Sequence, residues 1–370
     1  MNERWVLQFC HCHYGPFLDV ARQYAALFAG GPCKVMTVFL TGEDTPEARQ
    51  GAASDEVLFM NFRSADIRGL KLKAIRQLRA ILTSRPFELI IAHRFKPLYI
   101  ACLASGRLPV IGVHHAFGDY SRAPRRWLAN AFRQRLLLLG VSNAVRDDIR
   151  RQLPDWPEAR IQTLYNRIDV DAVRGQLLPR AAAREALQLP PDAWIVGNVG
   201  RLHPDKDQAT LIRGFALARD RLPADACLAI MGSGELADDL QRLASELGVA
   251  DQVRFLGQVP GARRYFRAFD VFALSSDHEP FGMVLLEAMA ADLPIICSDC
   301  GGGKEVVADP EARFPLGDAS CLAERLVALA RAPHDPAPAE RLHALFSDEA
   351  ARQSWAHIVA AAALPAASPA

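Results

Sequence analysis

Glu279-Pro280-Phe281-Gly282-Met283-Val284-Leu285-Leu286-Glu287-Ala288-Met289-Ala290 is the stretch on which the reading of this chain turns. The apolar run Val271 to Leu274 precedes it and gives way to Ser275, Ser276 and Asp277, the pattern of a buried strand leaving a sheet into a loop. Pro280 and Gly282 interrupt regular structure, and from Met283 to Ala291 the residues are fair to good helix formers, so a helix should begin near Gly282. The first N–H groups of such a helix lack intrahelical acceptors and make an anion site, which Gly282 leaves open to a ligand. Glu279 stands before that helix end and Glu287 more than a turn inside it, so the two carboxylates have different tasks. A phosphate at the helix end with a hydroxyl-accepting carboxylate on each side suits a nucleotide sugar. The bland alternative is an ordinary strand-loop-helix unit in which Glu287 belongs to a solvated helix face.

At 370 residues the chain is long for one core and suits two domains of nearly equal size. Half the residues are hydrophobic and 23% are charged, ordinary values for a globular protein. Apolar runs such as Leu136 to Leu139 fall far short of the roughly 20 residues of a membrane span. Glu3 and Arg4 precede a strand-like Trp5 to Phe9, which is not the build of a signal peptide, so a cytoplasmic location is expected. Eight cysteines are scattered without a disulfide framework. Cys10-His11-Cys12-His13 alternates along a strand, sending its ligands to opposite faces, and no second pair follows at finger-like spacing. Cys297-x-x-Cys300 has redox spacing, but three glycines follow where a thioredoxin-type motif opens a helix. Asp169-Val170-Asp171 falls in a connection and reads as a turn. No metal site is expected.

Charge is divided unevenly. Residues 1–180 hold 26 Lys and Arg against 16 Asp and Glu, whereas residues 181–370 hold 17 against 26. Many of the cations fall in two helical segments, Arg68 to Arg79 and Arg122 to Arg135. Basic amphipathic helices can lie on an anionic membrane surface, and equally a charge-rich face can simply be solvated. Peripheral attachment at the inner face of the cytoplasmic membrane is carried forward on this ground. The acidic second half and the lack of a reader motif argue against nucleic acid.

Strands are expected at Trp5 to Phe9, Val35 to Leu40, Val57 to Met60, Leu89 to Ala92, Val110 to His114, Leu136 to Val141 and Ile161 to Leu164, with helices between most of them. That alternation indicates an α/β domain with a largely parallel sheet. Ligands of such sheets sit at the carboxyl ends of strands. Gly15 follows the first strand there, His93-Arg94 ends another, and His114-His115 a third. Prolines and an Ala/Arg-rich helix between Asp169 and Pro191 mark a boundary, giving domains at residues 1–175 and 176–345. A helix from Asp348 to Ala363 in the segment 346–370 is expected to return toward the first domain. Residues 335–340 read as a linker, and Pro365 to Ala370 should fray.

The second domain opens with the strand Trp194 to Val199 and the loop Gly200-Arg201-Leu202-His203-Pro204-Asp205-Lys206-Asp207. Its Arg and Lys can place two cations on a diphosphate, or stand as two surface cations. Gly232-Ser233-Gly234 after the strand from Cys227 lacks the third glycine of a dinucleotide fingerprint. Taken in order, Gly200 to Asp207, Glu279 to Glu287 (E-x7-E) and Asp299 to Glu305 resemble motifs of the retaining glycosyltransferases of family 4. Val110 to His114, Val141 to Asp147 and Tyr165 to Asp169 resemble weaker ones. Gly15-Pro16 departs from the paired glycines common in the family, His115 from its usual Asp or Gly, and Arg167 from its usual Gly.

The resemblance implies a GT-B fold, two Rossmann-like domains facing across a cleft, with the donor in the second domain and the acceptor on the first. It implies a nucleoside diphosphate sugar donor, UDP-linked on family grounds, bound by Gly15, Arg201, Lys206, Phe281, Gly282, Met283, Val284 and Glu287. Glu279 would hold the sugar hydroxyls and His114 the sugar or acceptor, both as catalytic residues, without a metal cofactor. A cell-envelope glycan such as lipopolysaccharide core fits as acceptor, with a soluble sugar as the runner-up. A glycoside hydrolase using Glu279 and Glu287, or a non-catalytic nucleotide-sugar-binding protein, stands as the rival reading.

Overall fold

A computed structural model describes residues 3–331 and 337–362. The chain divides into two units, Met1–Arg167 together with the segment from Asp348 onward, and Ile168–Ser347.

Unit 1 carries β1 (Arg4–Cys10), β2 (Cys33–Phe39), β3 (Glu56–Phe59), β4 (Phe87–His93), β5 (Val110–His114), β6 (Leu136–Gly140) and β7 (Ile161–Thr163). All pair in parallel, in the order β3-β2-β1-β4-β5-β6-β7. Strands of this kind are covered on both faces, which is why β5 and β6 read as unbroken apolar runs and are buried throughout. Unit 2 repeats the plan with β8 (Ile195–Val199), β9 (Cys227–Met231), β10 (Val253–Gly257), β11 (Val271–Leu274), β12 (Ile295–Ser298) and β13 (Arg313–Phe314). Their order is β10-β9-β8-β11-β12-β13, again parallel. Each sheet therefore reverses its winding once, between β1 and β4 and between β8 and β11. The loops leaving the two strands at such a reversal part in opposite directions and open a crevice.

Expected strand bounds shift by at most two residues, and the two-residue β13 has no sequence signature. The basic segments change more. The first helix is Leu72–Leu82, because Gly69 and Lys71 are both left-handed (φ 59° and 55°) and hold the preceding residues in turns. The second is Ala123–Ala131, followed by a short 3-10 turn over Arg133–Arg135.

The boundary lies at Arg167/Ile168, eight residues before the expected one. Asp169 caps the helix Val170–Gln176 by accepting from the Ala172 N–H, and Arg174 of that helix bonds Asp292 and the Ala290 carbonyl, so the helix belongs to unit 2. At the other crossing the division falls at Ser347/Asp348 rather than 345/346. A helix, Ala337–Leu345, occupies most of the expected linker, and its Arg341 bonds the carbonyls of Glu305 and Val306. The rest of that linker, and the tail from Pro365, lie outside the described residues.

The last helix, Asp348–Ala361, packs in unit 1. Trp355 is fully buried and meets Tyr24 and Phe28 edge-on. Asp348 accepts from Arg22 at 3.0 Å and from Arg167 at 2.7 Å, and Arg167 is 1% exposed and also donates to the Gln23 carbonyl. The residue that replaces the family's glycine is thus a buried strut to the final helix. Arg167→Ala is expected to destabilise unit 1 by about 3 kcal/mol, the scale for breaking a buried pair. The urea midpoint of its unfolding transition checks this; an unshifted midpoint refutes the strut.

Candidate functional site

In unit 2 the loops after β8 and β11 are stitched together at the point where the winding reverses. The Ser275 hydroxyl donates to the Lys206 carbonyl at 2.9 Å, and the Asp277 N–H to the Asp205 carbonyl at 3.2 Å. Lys206 Nζ then lies 2.7 Å from Glu279 Oε2, with the side chains 19% and 9% exposed. The Ser276 hydroxyl donates to the same carboxylate oxygen at 3.3 Å. Glu279 is held from its main chain as well, by the Gly302 N–H at 2.7 Å. A Cβ at Gly302 would stand 2.4 Å from the Pro280 oxygen, so only glycine admits this approach. Ser298 and Cys300 both donate to the Ser276 carbonyl, at 2.5 and 2.9 Å. Five residues missed in the sequence, Ser275, Ser276, Ser298, Cys300 and Gly302, thus aim the one carboxylate. The glycines of Asp299 to Glu305 were the available signal.

The helix that follows is Met283–Ala290, capped by Gly282 at φ 94°, a conformation that strains any other residue. A Cβ there would lie 3.5 Å from Glu279 Cγ, which sets the Lys206–Glu279 pair beside the helix N-terminus. The first N–H groups, at Met283 and Val284, have no acceptor inside the helix and carry its positive end. Phe281 is 2% exposed and packs on Phe346 at 5.7 Å, fixing the loop rather than presenting a ring to solvent. Glu287 lies a turn inside, 14% exposed, with Arg263 Nε 3.6 Å away. The site therefore offers a half-buried cation, unclaimed amides and two separated carboxylates.

Arg201 is 69% exposed and pairs with Asp205 at 3.3 Å, so it is not joined to the Lys206–Glu279 contact. The loop geometry explains this: Leu202, 3% exposed, is the residue turned inward, which leaves its neighbour outside. The glycines at 232 and 234 serve packing, since Cβ atoms there would run into the carbonyls of Gly200 and Leu202. Cys297 and Cys300 are buried free thiols, pushed up from the usual range by burial. A cavity of about 960 Å³ opens at the opposite ends of the same strands, near Trp194, Asp270 and Pro294, away from these groups.

Residues 18–172 match the family model "Glycosyltransferase Family 4" and residues 179–341 the model "Glycosyl transferases group 1". The chain belongs to these glycosyltransferases. The lipopolysaccharide core biosynthesis glycosyltransferase LpsE of Rhizobium meliloti is 35% identical over 192 residues, covering 49% of this chain and 54% of that protein. The chain thus spans about half the length, or less, of the curated relatives it matches. A glycosyltransferase structure from Rickettsia africae superposes with a TM-score of 0.82 at 15% identity, over 99% of this chain and 100% of that one. HepE of Anabaena, solved with UDP, gives 0.75 at 18% identity over 97% and 99%. These likenesses establish the GT-B fold.

In unit 1 of this family member, Gly15 is exposed and left-handed (φ 58°) in the loop after β1, with open space where a side chain would be. His114 departs from its expected role. Its ring is fully enclosed, with Nδ1 2.7 Å from Asp119 and Nε2 3.1 Å from the Tyr120 hydroxyl, so neither nitrogen is left for a sugar or acceptor. Among the described residues no three His, Cys, Asp or Glu side chains converge to hold a metal.

The carboxyl ends of β1 and β4 carry histidines held neutral. Burial, then Lys96 and Arg94, push His11 down to about 4, and burial, then His115, push His93 well below its ordinary range. Unfolded histidines take up protons near pH 6.5, so the unfolded chain binds more protons below that value and folded stability falls as the pH drops. The thermal midpoint should decline from pH 7 to pH 5, the fully buried His93 contributing up to about 1.4 kcal/mol of lost stability per pH unit and the part-exposed His11 less. His93→Asn should flatten the slope, and a midpoint constant across that range refutes the assignment.

Proposed function

We propose that the protein is a retaining glycosyltransferase that moves a hexose from a nucleoside diphosphate sugar, UDP-linked, to a cell-envelope glycan such as lipopolysaccharide core. The observation that carries this is the Lys206–Glu279 contact, 2.7 Å long, beside the N-terminus of the 283–290 helix. Cleaving a sugar from a nucleoside diphosphate builds negative charge on the leaving phosphate and oxocarbenium character on the sugar, so fixed donors at the phosphate are what catalysis needs. Lys206 and the amides from Gly282 to Val284 supply them, each charge-assisted contact worth roughly 1.5 to 3 kcal/mol. Arg201, on its exposed loop, swings from Asp205 to the diphosphate when donor arrives. Glu287 holds the ribose. Glu279 takes the sugar hydroxyls and, while the site is empty, keeps the Lys206 ammonium in place.

Retention follows by front-side attack, with the leaving phosphate assisting deprotonation of the acceptor hydroxyl. His114 contributes by holding Asp119 and Tyr120 at the end of β5 rather than by touching substrate. The UDP preference draws on HepE, solved with UDP, and the acceptor class on LpsE, named for lipopolysaccharide core biosynthesis. The fixed cations make the reaction metal-independent.

Lys206→Ala should lower turnover at least tenfold in a donor-release assay; undiminished turnover overturns the phosphate assignment. Among UDP-, GDP- and ADP-sugars, a UDP-sugar should raise the thermal midpoint most, by ligand linkage. Chelation should leave transfer intact, and loss of activity restored by a divalent ion defeats the metal-free route.

A further inference from the structure

Several arginines of unit 1 are engaged by its own oxygens. Arg79 donates to the Leu103 carbonyl, Arg126 to those of Tyr120 and Ser121, Arg133 to that of Asp155, and Arg135 to the Cys102 carbonyl and the Ser105 hydroxyl. Three other cations are grouped. Between the helices Leu72–Leu82, Phe95–Ala104 and Ala123–Ala131 lies a cavity of about 420 Å³ lined by Lys71, Lys96 and Arg125 with Phe95, Tyr99 and Trp127, and by no acidic side chain. Arg125 lies over the Phe95 ring at 4.4 Å and is paired with Asp119. Lys71 Nζ lies over the Tyr99 ring at 4.8 Å and, among the described residues, donates to the Gly69 carbonyl alone. Lys96 makes no ion pair among the described residues, and burial together with its charge pulls Lys71 below the ordinary lysine range. Two ammonium groups thus share one cavity without a counter-charge.

Large apolar side chains stand in water here: Trp127, which lines the cavity, is 72% exposed, and Leu70 and Leu72, on either side of Lys71 in the chain, are 68% and 58% exposed. A soluble phosphorylated sugar would neutralise the lysines but leave both leucines exposed. An anionic bilayer satisfies both, since headgroup phosphate enters the cavity while leucine and tryptophan side chains enter the interface. We propose that this cavity seats the phosphate of an anionic phospholipid and that Trp127, Leu70 and Leu72 anchor unit 1 in the leaflet. The site deepens the proposed function, because a lipid-linked acceptor would be presented at that surface, but its test needs neither donor nor acceptor.

Flotation of the full chain with phosphatidylcholine vesicles, with and without phosphatidylglycerol, reads the partition directly. Binding should require phosphatidylglycerol. Removing cations as Lys71→Ala and Lys96→Ala should weaken it about fivefold each. Trp127→Ala should weaken it at every salt concentration, and the blue shift of tryptophan fluorescence on binding should vanish in Trp127→Phe. Arg151→Ala, an exposed cation elsewhere in unit 1, should bind nearly as the parent does. Equal loss in Arg151→Ala reduces the effect to diffuse charge and overturns the site. So does retention of binding in both Trp127→Ala and the double lysine variant, or saturable binding of a soluble sugar phosphate with no vesicle affinity. Unchanged thermal midpoints separate these outcomes from misfolding, and failed glycosyl transfer leaves them untouched.

Discussion

A lysine and a glutamate separated by 73 residues meet in unit 2, and much of that unit is arranged so that they can. Lys206 leaves the sheet after β8 and Glu279 after β11, strands that are neighbours only because the winding reverses between them. Burying either group alone would cost several kcal/mol. Paired, and with Ser276 and the Gly302 amide on the glutamate, they form a preformed cation beside a helix end whose own amides are unclaimed. Such an arrangement is preorganised to meet an anion with little further movement.

The strands were legible because both faces of a parallel sheet are covered, so β5 and β6 show as plain apolar runs. Glu279, Gly282 and Glu287 were legible because strand, breaker and helix former follow one another in a single stretch. The placement of Arg201 was not legible for the opposite reason: spacing along a loop does not say which side chain turns inward, and Leu202 took that place. His114 was misjudged because Asp119 and Tyr120, just downstream, close over it. Ser275 and Ser298 were invisible because the carbonyls they bond, of Lys206 and Ser276, lie far away in sequence, and the division at Arg167/Ile168 was equally hidden because Arg174's hold on Asp292 is as remote.

Charge gives a related lesson. Counting cations along a chain measures neither accessibility nor pairing. Arginine reaches backbone carbonyls easily through its five donors, and in unit 1 several arginines close loops in that manner. What distinguishes the cavity beside the three helices is its two lysines, which pair with no carboxylate among the described residues.

The connection between the units is the feature with the widest reach. The chain leaves unit 1 after Arg167 and re-enters it at Asp348, and these two residues form an ion pair. Unit 2 is therefore one uninterrupted coding stretch, inserted where entry and exit are clasped together. A gene so laid out can trade unit 2 for another by a single segmental exchange while unit 1 keeps its own closure.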